Sequence, residues 1–134
     1  VENNRGFFPE TYHGLLGLKG VGSYTAAAIA SFAYNEKVPA IDGNVIRVVS
    51  RLHGIDIPSD SKEAKNLISE IANREIDPVN PGIFNQAMME FGALWCTPQR
   101  PRCSECPFNG ECVALKSGLI QKIPFKSKKT KVTE

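Results

Sequence analysis

All four cysteines of this 134-residue chain fall between Cys96 and Cys112, spaced C-x6-C-x2-C-x5-C, and the first 95 residues contain none. Four sulfurs so close together in sequence suggest bonds to one another or to a metal, and either choice ties a short loop onto whatever fold precedes it. Three chemistries compete. Two disulfides suit a secreted mini-domain with too little core, whereas 42% of this chain is hydrophobic. Structural zinc normally takes two close pairs, and only Cys103 and Cys106 form one. An iron–sulfur cluster is larger than a single ion, so longer loops between its thiolates are natural. Spacing alone favours iron–sulfur over zinc without excluding it. Trp95, before Cys96, and Pro107, after Cys106, are placed either to shield a cluster from water or simply to pack.

Upstream of the cysteines the periodicity is helical. Ala26, Ile29, Ala30 and Ala33 recur at three and four, as do Val45, Val48, Val49 and Leu52. Ala64, Leu67, Ile68 and Ile71 repeat the pattern, and so do Phe84, Ala87, Met88, Phe91 and Leu94. Asp60 with Glu63 resembles a capping box, and the run from Asp77 to Gly82, with prolines at 78 and 81, must separate two helices. No alternating run is long enough for a sheet. The expected class is all-α with a small cysteine-tied appendage. The longest charge-free run, Gly20 to Asn35, has 16 residues and includes polar ones, too few for a membrane span.

Charge is unevenly shared. Residues 1–95 hold 8 basic and 11 acidic side chains, a balance of −3, while residues 96–134 hold 8 and 3, a balance of +5. A near-neutral average thus hides a basic, cysteine-bearing tail, an asymmetry that suggests a polyanionic partner. From Lys126 the chain reads as a basic linker. It opens at Val1 with neither a basic n-region nor an apolar h-region. The expectation is a segment of a longer, non-secreted protein, cytoplasmic and nucleoid-associated if bacterial.

Two further features carry chemistry. Leu18-Lys19-Gly20-Val21-Gly22-Ser23-Tyr24 lies between helical stretches. Its paired glycines permit a tight turn, and the free N–H groups of the following helix suit a phosphate. A plain inter-helix connection has the same pattern. Asp42 opens the helix of Val45 and Val48, where aspartate is a favoured N-cap. Its functional reading is a carboxylate held at a helix start, with Gly43 allowing close approach and Asn44 orienting it. Arg47 and Arg51, four apart on that helix, form a basic stripe for phosphates or for solvent.

In this order, Leu18-Lys19-Gly20-Val21-Gly22, Asp42 and the cysteine pattern resemble the endonuclease III superfamily of helix-hairpin-helix DNA glycosylases, over residues 6 to 125. Ile41-Asp42-Gly43-Asn44-Val45-Ile46-Arg47-Val48 and Phe84-Asn85-Gln86-Ala87-Met88-Met89-Glu90-Phe91-Gly92-Ala93 are similar to its adenine glycosylase (MutY) branch. That resemblance implies a helical region over 1–95 with the hairpin at about 14–34, a cluster loop over 96–112, and a C-terminal segment with linker over 113–134.

Endonuclease III itself has a nucleophilic lysine two residues after the second hairpin glycine, whereas Tyr24 stands there and cannot form a Schiff base. The resemblance therefore implies a monofunctional glycosylase that uses water to remove adenine mispaired with 8-oxoguanine or guanine. Asp42 takes the cation-stabilising or water-activating role, flanked by Tyr24 and Asn44. A 4Fe–4S cluster is held by Cys96, Cys103, Cys106 and Cys112. Double-stranded DNA containing a mismatched adenine is bound by Gly20, Gly22, Tyr24, Arg47, Arg100 and Arg102, and carbonyls near Leu16, Leu18 and Val21 hold a monovalent cation. The family's general-acid glutamate belongs to helices before the hairpin and its 8-oxoguanine reader to a C-terminal domain. Neither has a counterpart among these residues, and Glu10 and Glu36 do not match the glutamate's motif. The segment alone is therefore expected to be inactive. Other branches acting on thymine mismatches or oxidised pyrimidines, and a non-catalytic hairpin module, remain as alternatives.

Overall fold

A computed structural model describes residues 8–126. The basic tail anticipated from Lys126 lies, from residue 127 on, outside the described residues. Among the described residues six α-helices follow one another: α1 (Tyr12–Leu16), α2 (Ser23–Tyr34), α3 (Gly43–His53), α4 (Lys62–Glu75), α5 (Pro81–Leu94) and α6 (Val113–Lys116), with a 3-10 turn at Cys103–Glu105 before α6. No strand occurs among the described residues, in agreement with the all-α expectation.

Local chemistry sets the boundaries. Thr11 caps α1, its hydroxyl accepting from the Gly14 N–H, and Asp42 caps α3 by accepting from Val45. The helix α4 starts one residue later than a capping box at Asp60 requires. Ser61 is its N-cap, with Oγ accepting from the Ala64 N–H at 3.1 Å, while the same hydroxyl donates to the Pro58 carbonyl. Between α4 and α5, Asp77 Oδ1 accepts from the N–H groups of Val79 and Asn80, and Pro81 occupies the first turn of α5, where its missing N–H costs nothing.

Helix α3 is the hub, packing on α4, α5 and α6. Its apolar face, Val45 and Val49, meets Ala64, Ile68 and Ile71 of α4, with Met88 and Met89 of α5 closing the cluster. A second core joins Leu15 of α1 to Ala26 and Ala30 of α2, so the turn between those helices is anchored from both sides. The close approach of α5 to α3 depends on Gly92, where a Cβ would stand 2.8 Å from Asn44 Cβ and 2.9 Å from its carbonyl oxygen. Asn85, only 2% exposed, joins three segments. Its Nδ2 donates to Ser31 Oγ and the Val38 carbonyl, and its Oδ1 accepts from the Ala40 N–H. These bonds fix the short extended segment that delivers Asp42 to the start of α3.

Candidate nucleic-acid and iron–sulfur site

The hydrogen bonds across the hairpin turn between α1 and α2 are local: Gly17 to Gly14, Leu18 to Leu15 and Val21 to Leu18. Gly20 adopts φ +82°, in the left-handed region that favours glycine, and a Cβ there or at Gly22 would meet nothing within 4 Å. Gly22 is the N-cap of the 12-residue α2 and supplies no side chain to its first N–H groups. The turn thus presents an open surface of backbone donors at the positive end of a helix. Leu16, Leu18 and Val21 lie in and beside this turn, where the Leu18 carbonyl already accepts from Val21 and keeps a second lone pair.

Tyr24, in the first turn of α2, is 38% exposed and donates its hydroxyl to Met89 Sδ of α5 at 3.0 Å. It shares an open cleft with Ile41, the residue before Asp42. No hydrogen bond joins Tyr24 to Asp42 among the described residues. The pair that does form is Asp42 with Asn44: Asp42 Oδ1 accepts from the Val45 N–H at 2.9 Å and Oδ2 from Asn44 Nδ2 at 3.3 Å. The carboxylate is therefore held at both oxygens by its own helix.

The basic stripe on α3 is bonded to the fold itself, and Arg47 is half-buried. Its Nε donates to the Cys96 carbonyl at 2.7 Å, and its Nη2 to Asn44 Oδ1 at 2.9 Å and the Gly92 carbonyl at 2.6 Å. Burial lowers its pKa, neighbouring Arg51 adds to the effect, and Cys96 and Asp42 oppose it. Arg51 is 2% exposed and is likewise bound internally, to carbonyls of the cysteine loop and of Ile123. Both arginines point inward because the loop offers carbonyls that lack helix or sheet partners, and a guanidinium can satisfy several at once. Arg100 and Arg102 remain exposed on the loop. Arg100 is at φ +53°, and Arg102 stacks over the Trp95 ring at 5.1 Å.

The four cysteines are free thiols lining one partly open pocket, completed by Trp95, Phe91 and Arg51 among others. Among the described residues no group of three or more His, Cys, Asp or Glu is placed to hold a single metal ion. Burial pushes the Cys103 thiol up, and the sulfurs of Cys96, Cys112 and Cys106 add to that, with Arg51 opposing. Thiolates this close repel one another unless a cation sits between them. Four thiols lining one pocket are the donor set of a sulfur-ligated multi-metal core, and their uneven spacing suits such a core better than one tetrahedral ion. The Phe108 N–H donates to Cys106 Sγ at 3.4 Å, the kind of bond that fixes a ligand sulfur. Trp95 lines the cavity, in keeping with a shielding role, whereas Pro107 is exposed and does not.

Asn85 and Arg51 are the organising residues that periodicity did not single out. The available signal was slight: Asn85 is one of three polar residues in α5, with Gln86 and Glu90, and Arg51 sits beside the apolar stripe of α3. Elsewhere, Glu36 accepts from the Tyr12 N–H at 2.7 Å, and His53 Nε2 lies 3.3 Å from Glu75 Oε2.

Comparison with known proteins agrees with this geometry. Residues 96–112 match the iron–sulfur binding domain of endonuclease III. An adenine DNA glycosylase of Arabidopsis thaliana is 49% identical over 109 residues, covering 81% of this chain and 17% of that protein. The Homo sapiens adenine DNA glycosylase is 45% identical over 115 residues, covering 85% and 21%. The chain thus spans about a fifth of the length of these relatives. Among solved structures, a thermostable thymine-DNA glycosylase superposes with TM-score 0.77 at 28% identity, over 87% of this chain and 53% of that one. An endonuclease III trapped in a covalent DNA intermediate gives 0.71 at 27%, over 88% and 54%. No described helix is long and apolar enough to cross a membrane. The chain carries a 4Fe–4S-binding segment and, by sequence and fold together, belongs to the adenine DNA glycosylase family of endonuclease III-like proteins.

Proposed function

We propose that the intact protein containing this segment is a base-excision repair enzyme that hydrolyses the N-glycosidic bond of adenine mispaired with 8-oxoguanine or guanine. The observation that carries the reading is the Asp42–Asn44 pair at the start of α3, with both carboxylate oxygens fixed and Tyr24 at the edge of an adjoining cleft. Removing a base from duplex DNA requires flipping it out of the stack, protonating it, and stabilising the cationic sugar as the bond breaks. Asp42 is suited to the last of these. Its preset orientation means that little reorganisation is needed as charge develops. Tyr24 has no amine to form a Schiff base, so water is the nucleophile.

The other groups bind and position. Backbone N–H groups of Gly20, Gly22 and Tyr24 hold a DNA phosphate, and carbonyls of Leu16, Leu18 and Val21 hold a monovalent cation beside it. Arg100 and Arg102 press against the DNA backbone, where they position without reading sequence. Cys96, Cys103, Cys106 and Cys112 ligate the 4Fe–4S cluster, whose contribution is to cross-link and shape that loop. A general acid is not among these residues, so the 134-residue segment on its own should not excise adenine.

Assaying the full-length protein on adenine opposite 8-oxoguanine tests the reading. Excision should occur there, and Asp42→Asn should lower it by about 10³-fold or more while DNA binding persists. Binding without excision in the parent would instead indicate a non-catalytic hairpin module. The likeness to a thymine-DNA glycosylase supports one second reading, a thymine-mismatch enzyme, which excision of thymine opposite guanine in preference to adenine would establish.

A further inference from the structure

Among the described residues Arg51 is the largest fully buried side chain, yet no carboxylate among them lies within ion-pair distance of it. A buried cation without a counter-charge is costly unless an anion is supplied. Its hydrogen bonds do not supply one. Nε donates to the Ile123 carbonyl at 3.0 Å, Nη1 to the Thr97 carbonyl at 2.7 Å, and Nη2 to the Pro98 carbonyl at 3.0 Å. The remaining partners of Nη1 are the carbonyl and the sulfur of Cys96, each at 3.4 Å. Arg51 also lines the cavity ringed by the four cysteines.

We propose that Arg51 is the internal counter-ion of the iron–sulfur group, placed on α3 so that the charge of the ligated thiolates and the charge of the buried guanidinium neutralise one another. This rests on the reading of the four cysteines as ligands. Four thiolates carry more negative charge than the positive charge of a 4Fe–4S core, so the ligated group is a net anion in a partly dry cavity. The fork of Arg51 places a permanent cation against one of its sulfurs. The same fork ties the loop at Thr97 and Pro98 to the carbonyl of Ile123, within the apolar cluster of Cys112 and Ala114. Each partner therefore depends on the other. The cluster is retained because the cation is there, and the cation is tolerated in the interior because the cluster is there. Adding an electron to an anion is easier beside a buried cation, so Arg51 also sets the reduction potential upward.

Two substitutions in the iron-loaded full-length protein separate charge from shape. Arg51→Gln keeps an amide donor without the charge, and Arg51→Lys keeps the charge without the fork. For each, iron per chain, the rate of iron loss to a chelator and the midpoint potential are measured. Arg51→Gln should lose iron about tenfold faster or more and move the potential to more negative values, whereas Arg51→Lys should stay near the parent potential and retain more iron than Arg51→Gln. An Arg51→Gln protein with parental iron and parental potential overturns the proposal. Loss of iron or a negative shift of equal size in both variants also overturns it, because the role would then be only that of a carbonyl clamp. A parent protein without iron and sulfide would instead overturn the reading of the cysteines.

Discussion

The hairpin around Gly20 and the cysteine loop around Cys103 are both assigned to the DNA backbone, but they hold their shapes in opposite ways. The hairpin is closed by hydrogen bonds spanning three residues and by one glycine at positive φ, with Leu15, Ala26 and Ala30 packed beneath it. The cysteine loop has one short 3-10 turn, and it receives donors from far away in sequence: Arg47 on the Cys96 carbonyl, Arg51 on those of Thr97 and Pro98. One element is shaped from within. The other is shaped by a helix more than forty residues upstream and by whatever its sulfurs bind. On the proposed function this difference matters, because a self-contained hairpin would grip a phosphate in any metal state, whereas the loop would present Arg100 and Arg102 only when its scaffold is intact.

Removing the iron from the full-length protein should have the largest effect on this contrast. With the loop released, affinity for duplex DNA should fall about tenfold or more, and the slope of log affinity against log salt should shrink by about 2, the share of two lost phosphate contacts. An unchanged slope would mean that the loop arginines do not touch DNA. Next in size is Arg47→Ala, which leaves the carbonyls of Gly92 and Cys96 without that donor and should destabilise the iron-loaded protein by about 2–4 kcal/mol in denaturant unfolding. A loss below about 0.5 kcal/mol would place Arg47 at the surface after all. Gly20→Ala, forcing a side chain into the left-handed region, should cost about 1–2 kcal/mol and weaken DNA binding without altering iron content. Ser61→Ala should cost about 1 kcal/mol through the lost cap of α4 and leave both DNA-facing elements untouched.

The same contrast explains what could be read in the sequence. Gly20, Gly22 and Asp42 act within a few residues of themselves, so their spacing revealed the turn and the helix cap. The apolar repeats of α2 to α5 were equally visible, since each encodes its own buried face. The direction of Arg47 and Arg51 was not legible, because it is decided by carbonyls at 92 to 98 and 123 that only the folded chain brings near. Asn85 was hidden for the same reason, its partners lying 45 to 54 residues away. The cap of α4 was misread at Asp60 because both Asp60 and Ser61 are good capping residues, and only the backbone geometry chooses between them.

The central claim is that the metal group organises the cysteine loop and not the hairpin, and amide hydrogen exchange on iron-loaded and iron-stripped protein measures this directly. On stripping, the amides of Arg102, Cys106 and Cys112, bonded within the loop or to its edge, should lose protection by about a hundredfold. Those of Val21 and Ala26 in the hairpin should change by less than about threefold. Equal loss at both elements, or no loss in the loop, would contradict the account.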